Sequence, residues 1–132
     1  MKNNLKYPLL DNAFSSADIN IAIDVLRSKK ITMSKKTLEF EARFAKYVGA
    51  KYAVMVNSGS SANLLSVFAS CNPLRKNKFK RGDEAIIPSL CWSTSLWPLV
   101  QTGLKPVFTD VNTKSLNMNL EHFKKALSPK TK

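Results

Sequence analysis

The order of apolar and polar residues predicts helices and strands that alternate along most of this 132-residue chain. Apolar residues recur with helical spacing after Ser15 or Ser16 and again after Ser34, which predicts two opening helices, the second ending at Gly49. Short apolar runs then predict strands, each followed by a helical segment. The predicted strands are 52–56, 84–87 and 105–111, and the helices that follow them are 60–70, 93–102 and 120–127.

A repeated strand–helix order is typical of a parallel sheet with right-handed crossovers. The sequence therefore predicts an α/β fold of three layers, in which a mainly parallel sheet has helices on both faces. We predict that residues 1–132 belong to one domain, because no Pro/Gly-rich linker or internal repeat interrupts the pattern. Three parallel strands are few for a sheet buried on both faces, so we expect an incomplete, N-terminal part of a larger domain.

The apolar segments are too short for a membrane protein. No stretch approaches the roughly 18 to 20 apolar residues that span a bilayer, and no apolar run follows the first residues as in a secretory signal. The two cysteines, Cys71 and Cys91, lack the spacing of a metal site. We therefore expect a cytoplasmic protein with two reduced thiols and no metal.

A net charge of +12 favours an anionic partner. Basic residues cluster at 27–36, 75–81 and 124–132. In the middle cluster only Phe79 is interleaved with the charges, which is too little for a platform that stacks nucleic-acid bases. Solvated basic loops and an anion-binding surface both remain open, and nucleic acid is the less favoured partner.

The segment 54–65 predicts a strand, a tight turn of small residues and the first turn of a helix. A helix N-terminus presents unsatisfied N–H donors and a partial positive charge, which suit a phosphate or a carboxylate. Gly59 would let a ligand approach the backbone, and Ser60 and Ser61 would add hydroxyls. The turn lacks the Gly-Lys-Ser/Thr ending of a P-loop and the further glycines of a dinucleotide fingerprint. Simple capping of the helix is the alternative.

The segment 88–95 follows the next predicted strand and emerges at the same carboxyl edge, where open α/β sheets bind ligands. Trp92 offers a flat face in a loop of mostly small residues and could stack on a planar ligand; burial in the core is the alternative. Trp97, inside the following helix, fits the core better. Asp110 ends a strand at this edge and is predicted to cap the next turn, with a ligand contact as the alternative.

These segments together resemble the sugar aminotransferase family, pyridoxal-phosphate (PLP) enzymes with the aspartate-aminotransferase fold. The resemblance covers about residues 8–132. The stretches that carry it are 57–62, 82–88, 103–111 and 126–132, in this order.

The resemblance implies that Ser60 and Ser61 hold the phosphate of PLP and that Trp92 stacks on its pyridine ring. It also implies a homodimer. Family members place an Asp beside the pyridine nitrogen and a Schiff-base Lys further downstream, so both are expected beyond residue 132 and no catalytic residue is assigned here. Near the N-terminus Ser34 stands where the family often has glycine, so no substrate contact is assigned there.

The expected function is that of the N-terminal part of an aminotransferase acting on nucleotide-linked keto-sugars with an amino donor, in polysaccharide or deoxyamino-sugar biosynthesis. Without its lysine the chain is expected to be inactive alone. The related sugar 3-dehydratases, in which histidine replaces that lysine, share the same front end and remain an alternative. A small basic protein that binds nucleic acid or another anion is a further alternative, and a poorly folding remnant is a third.

Overall fold

The computed structural model describes residues 13–32 and 34–132. They divide between two compact units, and the division falls between Met55 and Val56. The assignment of 1–132 to one domain stays a prediction. Across the described ranges, no helix has both the length and the apolar character that a bilayer span requires.

The first unit opens with helix α1, Ser16–Arg27, which a capping box fixes. The Asp18 N–H donates to Ser15 Oγ at 3.2 Å, and the Ser15 N–H donates to Asp18 Oδ2 at 2.9 Å. The two orphan donors at the helix start are thereby satisfied reciprocally. Ser15 is therefore the cap that the sequence offered together with Ser16. None of the α1 residues is buried.

Helix α2, Lys35–Val48, follows the N-cap residue Ser34 and ends at Gly49. Gly49 has a φ of 70°, the left-handed conformation that glycine adopts without a steric penalty at a helix C-terminus. Both predicted ends of this helix are confirmed. Ala45 is the buried position of α2 and is 6% exposed.

The predicted strand 52–56 is wrong. This segment pairs with no strand among the described residues. The Met55 N–H donates to the Glu41 carboxylate at 2.7 Å instead, and Tyr52 and Val54 are both more than two-thirds exposed. An apolar run forms a strand only where a neighbouring strand supplies ladder partners, and sequence periodicity does not reveal whether one is present.

The second unit contains the parallel sheet and three helices. Strands β1 and β2 pair in parallel, with Ile86 opposite Val107. Its core sits at this sheet, where Ile87 and Leu104 are each 5% exposed. The α/β class and the parallel sheet are confirmed. The elements in chain order are α3 Gly59–Ser70, β1 Glu84–Pro88, α4 Ser93–Gln101, β2 Lys105–Thr109 and α5 Leu120–Ala126.

A third chain segment joins the sheet after α5. Thr131 forms a parallel bridge with Glu84, whose N–H donates to the Lys130 carbonyl at 2.8 Å. The Lys132 N–H in turn donates to the Glu84 carbonyl at 3.0 Å. An extended segment therefore follows α5 and pairs with β1 through an isolated bridge.

The Glu84 carboxylate links this segment to the sheet and gives the fold a pH dependence. The Ser128 hydroxyl, 2.5 Å from Glu84 Oε2, lowers the pKa of the carboxyl below its ordinary 4.5, and Lys105 Nζ, 3.3 Å from Oε1, lowers it further. A carboxyl whose pKa is lower in the folded state stabilises the fold above its unfolded pKa, and this stabilisation is lost as the pH falls through the folded pKa.

We expect Ser128→Ala to lower the melting temperature near neutral pH and to lose most of this effect in acid. Without the hydroxyl, the pKa of Glu84 moves back toward its unfolded value, so the variant has less stabilisation to lose as the pH falls. Thermal melts of both proteins across this pH range measure the difference. A gap between the two melting temperatures that stays constant with pH would refute the role assigned to Glu84.

Thr109 is the buried polar residue at the end of β2, 3% exposed, and its Oγ1 has no hydrogen-bond partner in the described part of the chain. An unsatisfied buried hydroxyl costs about 1–3 kcal/mol. We therefore expect Thr109→Val, which keeps the shape, to raise the free energy of unfolding by about 1 kcal/mol. Urea unfolding measures this change, and a lower stability of the variant would mean that the hydroxyl has a partner.

Candidate functional site

The turn before α3 is organised by Ser58 rather than by Ser60. Ser58 is the N-cap residue, with extended backbone angles, and its Oγ accepts from the Ser61 N–H at 3.1 Å. The helix therefore begins at Gly59, one residue before the predicted start. Capping by a serine, the alternative interpretation of this turn, is therefore present, but a run of four small residues does not reveal which one takes the cap geometry.

Two backbone donors remain free at the start of α3. The Ala62 N–H donates to the Ser58 carbonyl at 3.0 Å, and Ser58 Oγ takes the Ser61 N–H. Among the described residues, the N–H groups of Gly59 and Ser60 have no acceptor. The first turn also carries no acidic side chain. Free N–H donors at the positive end of a helix favour an anion.

The two serine side chains have different surroundings. Ser61 is half-buried, and its Oγ lies 3.1 Å from Ser58 Oγ, which donates to it. Its own proton is then available to a further acceptor. Ser60 is exposed and lines a groove of about 160 Å³ between α3 and α4. Both hydroxyls thus accompany the free N–H groups at the helix start.

Gly59 has no structural need to be glycine within the described part of the chain. A Cβ added there would meet nothing within 4 Å, and its φ lies outside the left-handed region. Alanine has the higher intrinsic helix propensity, so packing and backbone conformation do not select glycine here. The open space in front of the free N–H groups is consistent with a ligand that approaches the backbone.

Trp92 is exposed at the start of α4. It is the N-cap residue of that helix, 76% exposed, and makes no capping hydrogen bond through its side chain. Its loop leaves β1 where the Ser89 N–H donates to the Thr109 carbonyl at 2.8 Å, at the carboxyl edge of the sheet. The alternative that Trp92 fills the core is therefore wrong, and its indole face is available for stacking.

Trp97 does not lie in the core as predicted. It is 55% exposed and lines the groove that contains Ser60. Pro98 takes the buried position of α4 in its place. A helix with apolar residues on several sides does not show from sequence alone which of them faces inward. Trp92 does not line this groove.

A polar contact joins α3 and α4, and sequence reasoning missed it. Asn63 Nδ2 donates to the Thr94 carbonyl at 3.5 Å, so the first turns of these helices lie together. Thr94 also lines the groove beside Ser60. The sequence offered one signal for this contact, because Asn63 lies one turn into the helix, past the positions where an amide caps the helix itself. The turn predicted at Asp110 is formed by Asn112 instead, whose Oδ1 accepts from the Lys114 and Ser115 N–H groups at 2.9 and 3.1 Å. Among the described residues, Asp110 Oδ1 accepts only from the neighbouring Val111 N–H, at 2.8 Å.

The fold and the site together define a class. An exposed indole lies at the carboxyl edge of the parallel sheet. The start of α3 has free N–H groups and two hydroxyls, and the hydrogen bond from Asn63 to Thr94 joins it to the start of α4. The helix start suits a negatively charged group, and the indole suits a flat ring. The sequence matches the DegT/DnrJ/EryC1/StrS aminotransferase family over residues 13–132. The chain belongs to this family.

The relatives include a sugar 3-dehydratase and an aminotransferase. The chain is 41% identical over 128 residues to GDP-4-keto-6-deoxy-D-mannose 3-dehydratase of Yersinia pseudotuberculosis, covering 97% of this chain and 32% of that protein. It superposes on the E. coli enzyme of that name, solved with bound hydrated PLP, with a TM-score of 0.87 and 41% identity, covering 96% and 32% of the two chains. For an aminotransferase from Psychrobacter cryohalolentis, the TM-score is 0.75 and the identity 26%, with 91% and 29% covered. The chain thus spans about a third of the length of these relatives.

Proposed function

We propose that this chain holds the phosphate and the ring of PLP, as the N-terminal part of an enzyme that acts on nucleotide-linked keto-sugars. The observation that carries the proposal is the pair of free N–H donors at the start of α3, in a member of a family whose solved relatives include one with PLP bound. The resemblance of the sequence to this family implies the same role for the start of α3.

The start of α3 would bind the phosphate. The N–H groups of Gly59 and Ser60 and the Ser61 hydroxyl can each donate to a phosphate oxygen, and hydrogen bonds to an ionised acceptor are about twice as strong as neutral ones. Ser58 holds the Ser61 hydroxyl in place and so limits the entropy lost on binding. No acidic side chain in this turn opposes the ligand.

Trp92 would hold the ring. An indole face stacks on a heteroaromatic ring and excludes water from it. Because the side chain is 76% exposed, it can accept such a ring without a change in the core. PLP, when bound, supplies an electron sink for the carbon chemistry of the substrate. The residues of this chain position the cofactor and exclude water from one face of its ring.

Two reactions fit the family, and a different observation favours each of them. The family name and the aminotransferase relative favour transfer of an amino group to the keto-sugar. The 41% identity to the 3-dehydratases, against 26% to the aminotransferase, favours removal of a hydroxyl from the sugar. Dehydration is the second candidate function on this ground. Either reaction would serve the biosynthesis of unusual sugars in polysaccharides.

A second copy of this chain is the proposed protein partner. Support comes from α2, where the rings of Phe40 and Phe44 stack with centroids 5.6 Å apart while each residue remains almost half exposed. Paired exposed aromatics are typical of association surfaces. Sedimentation velocity over a range of concentrations tests this, and a monomer at every concentration would contradict it.

Binding of pyridoxamine 5′-phosphate, followed by its fluorescence, tests the cofactor proposal. This form of the cofactor has the ring and the phosphate but no aldehyde, so it cannot react with the many surface lysines. Pyridoxamine, which lacks the phosphate, is the matched control. We expect the phosphate to tighten binding by at least about tenfold, because charge-assisted hydrogen bonds contribute about 1.5–3 kcal/mol each. Equal affinities for the two ligands would refute the phosphate site.

A further inference from the structure

A second cleft, which we call the basic cleft, lies in the loop between α3 and β1. Its volume is about 540 Å³, within the range of about 300–1,000 Å³ that is typical of small-molecule sites. One half-buried aromatic ring, that of Phe79, is part of its wall. The residues that line it are Lys76, Asn77, Lys78, Phe79, Lys80, Asp83 and Lys132.

Hydrogen bonds to both neighbouring elements fix the loop that forms the basic cleft. The Phe79 N–H donates to the Ser70 carbonyl at 2.9 Å, which attaches the loop to the end of α3. The Gly82 N–H donates to the Gly103 carbonyl at 2.8 Å, which attaches it to the residues before β2. The cleft is thus preorganised, and a ligand there would not have to order a floppy segment.

The charges of the basic cleft are strongly unbalanced. Four lysines line it against a single acidic side chain, and none of these lysines forms an ion pair within the described part of the chain. The Asp83 side chain is already engaged, since its Oδ2 accepts from the Lys80 N–H at 2.8 Å. Lys78 Nζ donates to the Pro73 carbonyl at 3.1 Å, and the other ammonium groups have no partner among the described residues. A concave site lined by one sign of charge concentrates counter-ions.

The basic cleft is separate from the cofactor site. It contacts the C-terminal end of α3 through Ser70, while Ser60 and Ser61 lie at the other end of this 12-residue helix. A helix of that length is roughly 18 Å long at about 1.5 Å per residue. Asp83 likewise precedes β1, whereas Trp92 follows it. The two sites therefore lie at opposite edges of the sheet.

We propose that the basic cleft binds a compact oligophosphate, such as the triphosphate group of a nucleotide. The free ammonium groups of Lys76, Lys80 and Lys132 neutralise the phosphates, and the size of the cleft limits the ligand to a small molecule. The ring of Phe79 is placed to contact a base, which would favour a nucleotide over inorganic phosphate. A long nucleic acid is disfavoured because Phe79 is the one aromatic residue among the described residues that line the cleft.

Calorimetric titration of the full chain with inorganic tripolyphosphate and with ATP tests this proposal. The variant Lys76→Gln/Lys80→Gln removes two free ammonium groups without touching the backbone hydrogen bonds of the loop. We expect it to weaken tripolyphosphate binding about tenfold. The control Lys114→Gln/Lys125→Gln removes the same charge elsewhere in this unit and should change the affinity less than about twofold.

The ligand source follows from the two probes. If ATP binds more tightly than tripolyphosphate and Phe79→Leu removes this difference in affinity, the ligand is a nucleotide. If the two affinities are equal and both depend on Lys76 and Lys80, the ligand is inorganic oligophosphate. Either result supports the cleft. No binding at low ionic strength, or equal weakening by the two lysine pairs, overturns it. Binding to long single-stranded DNA without binding to either small ligand also overturns the proposal.

Two measurements keep this test independent of folding defects and of the cofactor site. Amide shifts of the wild-type protein on adding tripolyphosphate should be largest at residues 76–80, which requires no variant. Ser61→Ala should leave tripolyphosphate binding unchanged, whatever it does to the cofactor. Loss of tripolyphosphate binding in Ser61→Ala would mean that the anion sits at the start of α3, and the basic cleft would be refuted.

Discussion

Ser61→Ala is expected to weaken binding of pyridoxamine 5′-phosphate by about 10- to 100-fold, the range that follows from one lost hydrogen bond to a charged group. The Ser61 hydroxyl is held by Ser58 and has its own proton available for the phosphate. The variant should bind pyridoxamine as the wild type does, since that ligand has no phosphate. Fluorescence titration with both ligands measures the effect.

Stability should change little in Ser61→Ala. The backbone N–H of residue 61 keeps its bond to Ser58 Oγ, and alanine is a good helix residue. Ser66→Ala is the matched control, because it removes an exposed hydroxyl of the same helix that is bonded to the Ala62 carbonyl. A Ser61→Ala protein that binds the phosphorylated ligand as tightly as Ser66→Ala does would show that the hydroxyl makes no contact with the phosphate.

Trp92→Ala is expected to weaken the same ligand by about 5- to 100-fold, because stacking of a ring on an aromatic side chain contributes about 1–3 kcal/mol. Pyridoxamine should lose a similar factor, since it keeps the ring. This pattern distinguishes the ring contact from the phosphate contact. The free energy of unfolding should stay within about 0.5 kcal/mol, as for other exposed positions, because Trp92 is 76% exposed.

Two further variants bracket the role of Trp92. Trp92→Phe keeps a ring and should retain most of the affinity. Leu90→Ala truncates another exposed side chain of the same loop and should have almost no effect. If Leu90→Ala weakened binding as much as Trp92→Ala, the loop conformation rather than the indole would be responsible.

Local patterns predicted the helices and the two paired strands well. The capping box at Ser15 and the glycine at Gly49 mark helix ends through short-range chemistry that the sequence displays directly. Strands β1 and β2 are apolar runs that find each other as neighbours. The position of the candidate site also follows from chain order, because loops after parallel strands emerge at one edge.

Features that depend on distant partners could not be predicted. Segment 52–56 has a strand-like composition but no ladder partner in the described residues, and Trp97 proved half-exposed. The free N–H groups at Gly59 and Ser60 follow from Ser58 being the N-cap residue, which the sequence does not determine. The hydrogen bond of Asn63 to Thr94 depends on helix packing that periodicity does not encode.

The most direct test of the cofactor site is amide and indole chemical-shift mapping of the full chain with pyridoxamine 5′-phosphate. The proposed site requires the largest shifts at the amides of Gly59, Ser60 and Ser61 and at the indole N–H of Trp92, with pyridoxamine moving the indole alone. Shifts that centre on the basic cleft, or that spread evenly over the lysine-rich loops, would contradict a cofactor site at the start of α3.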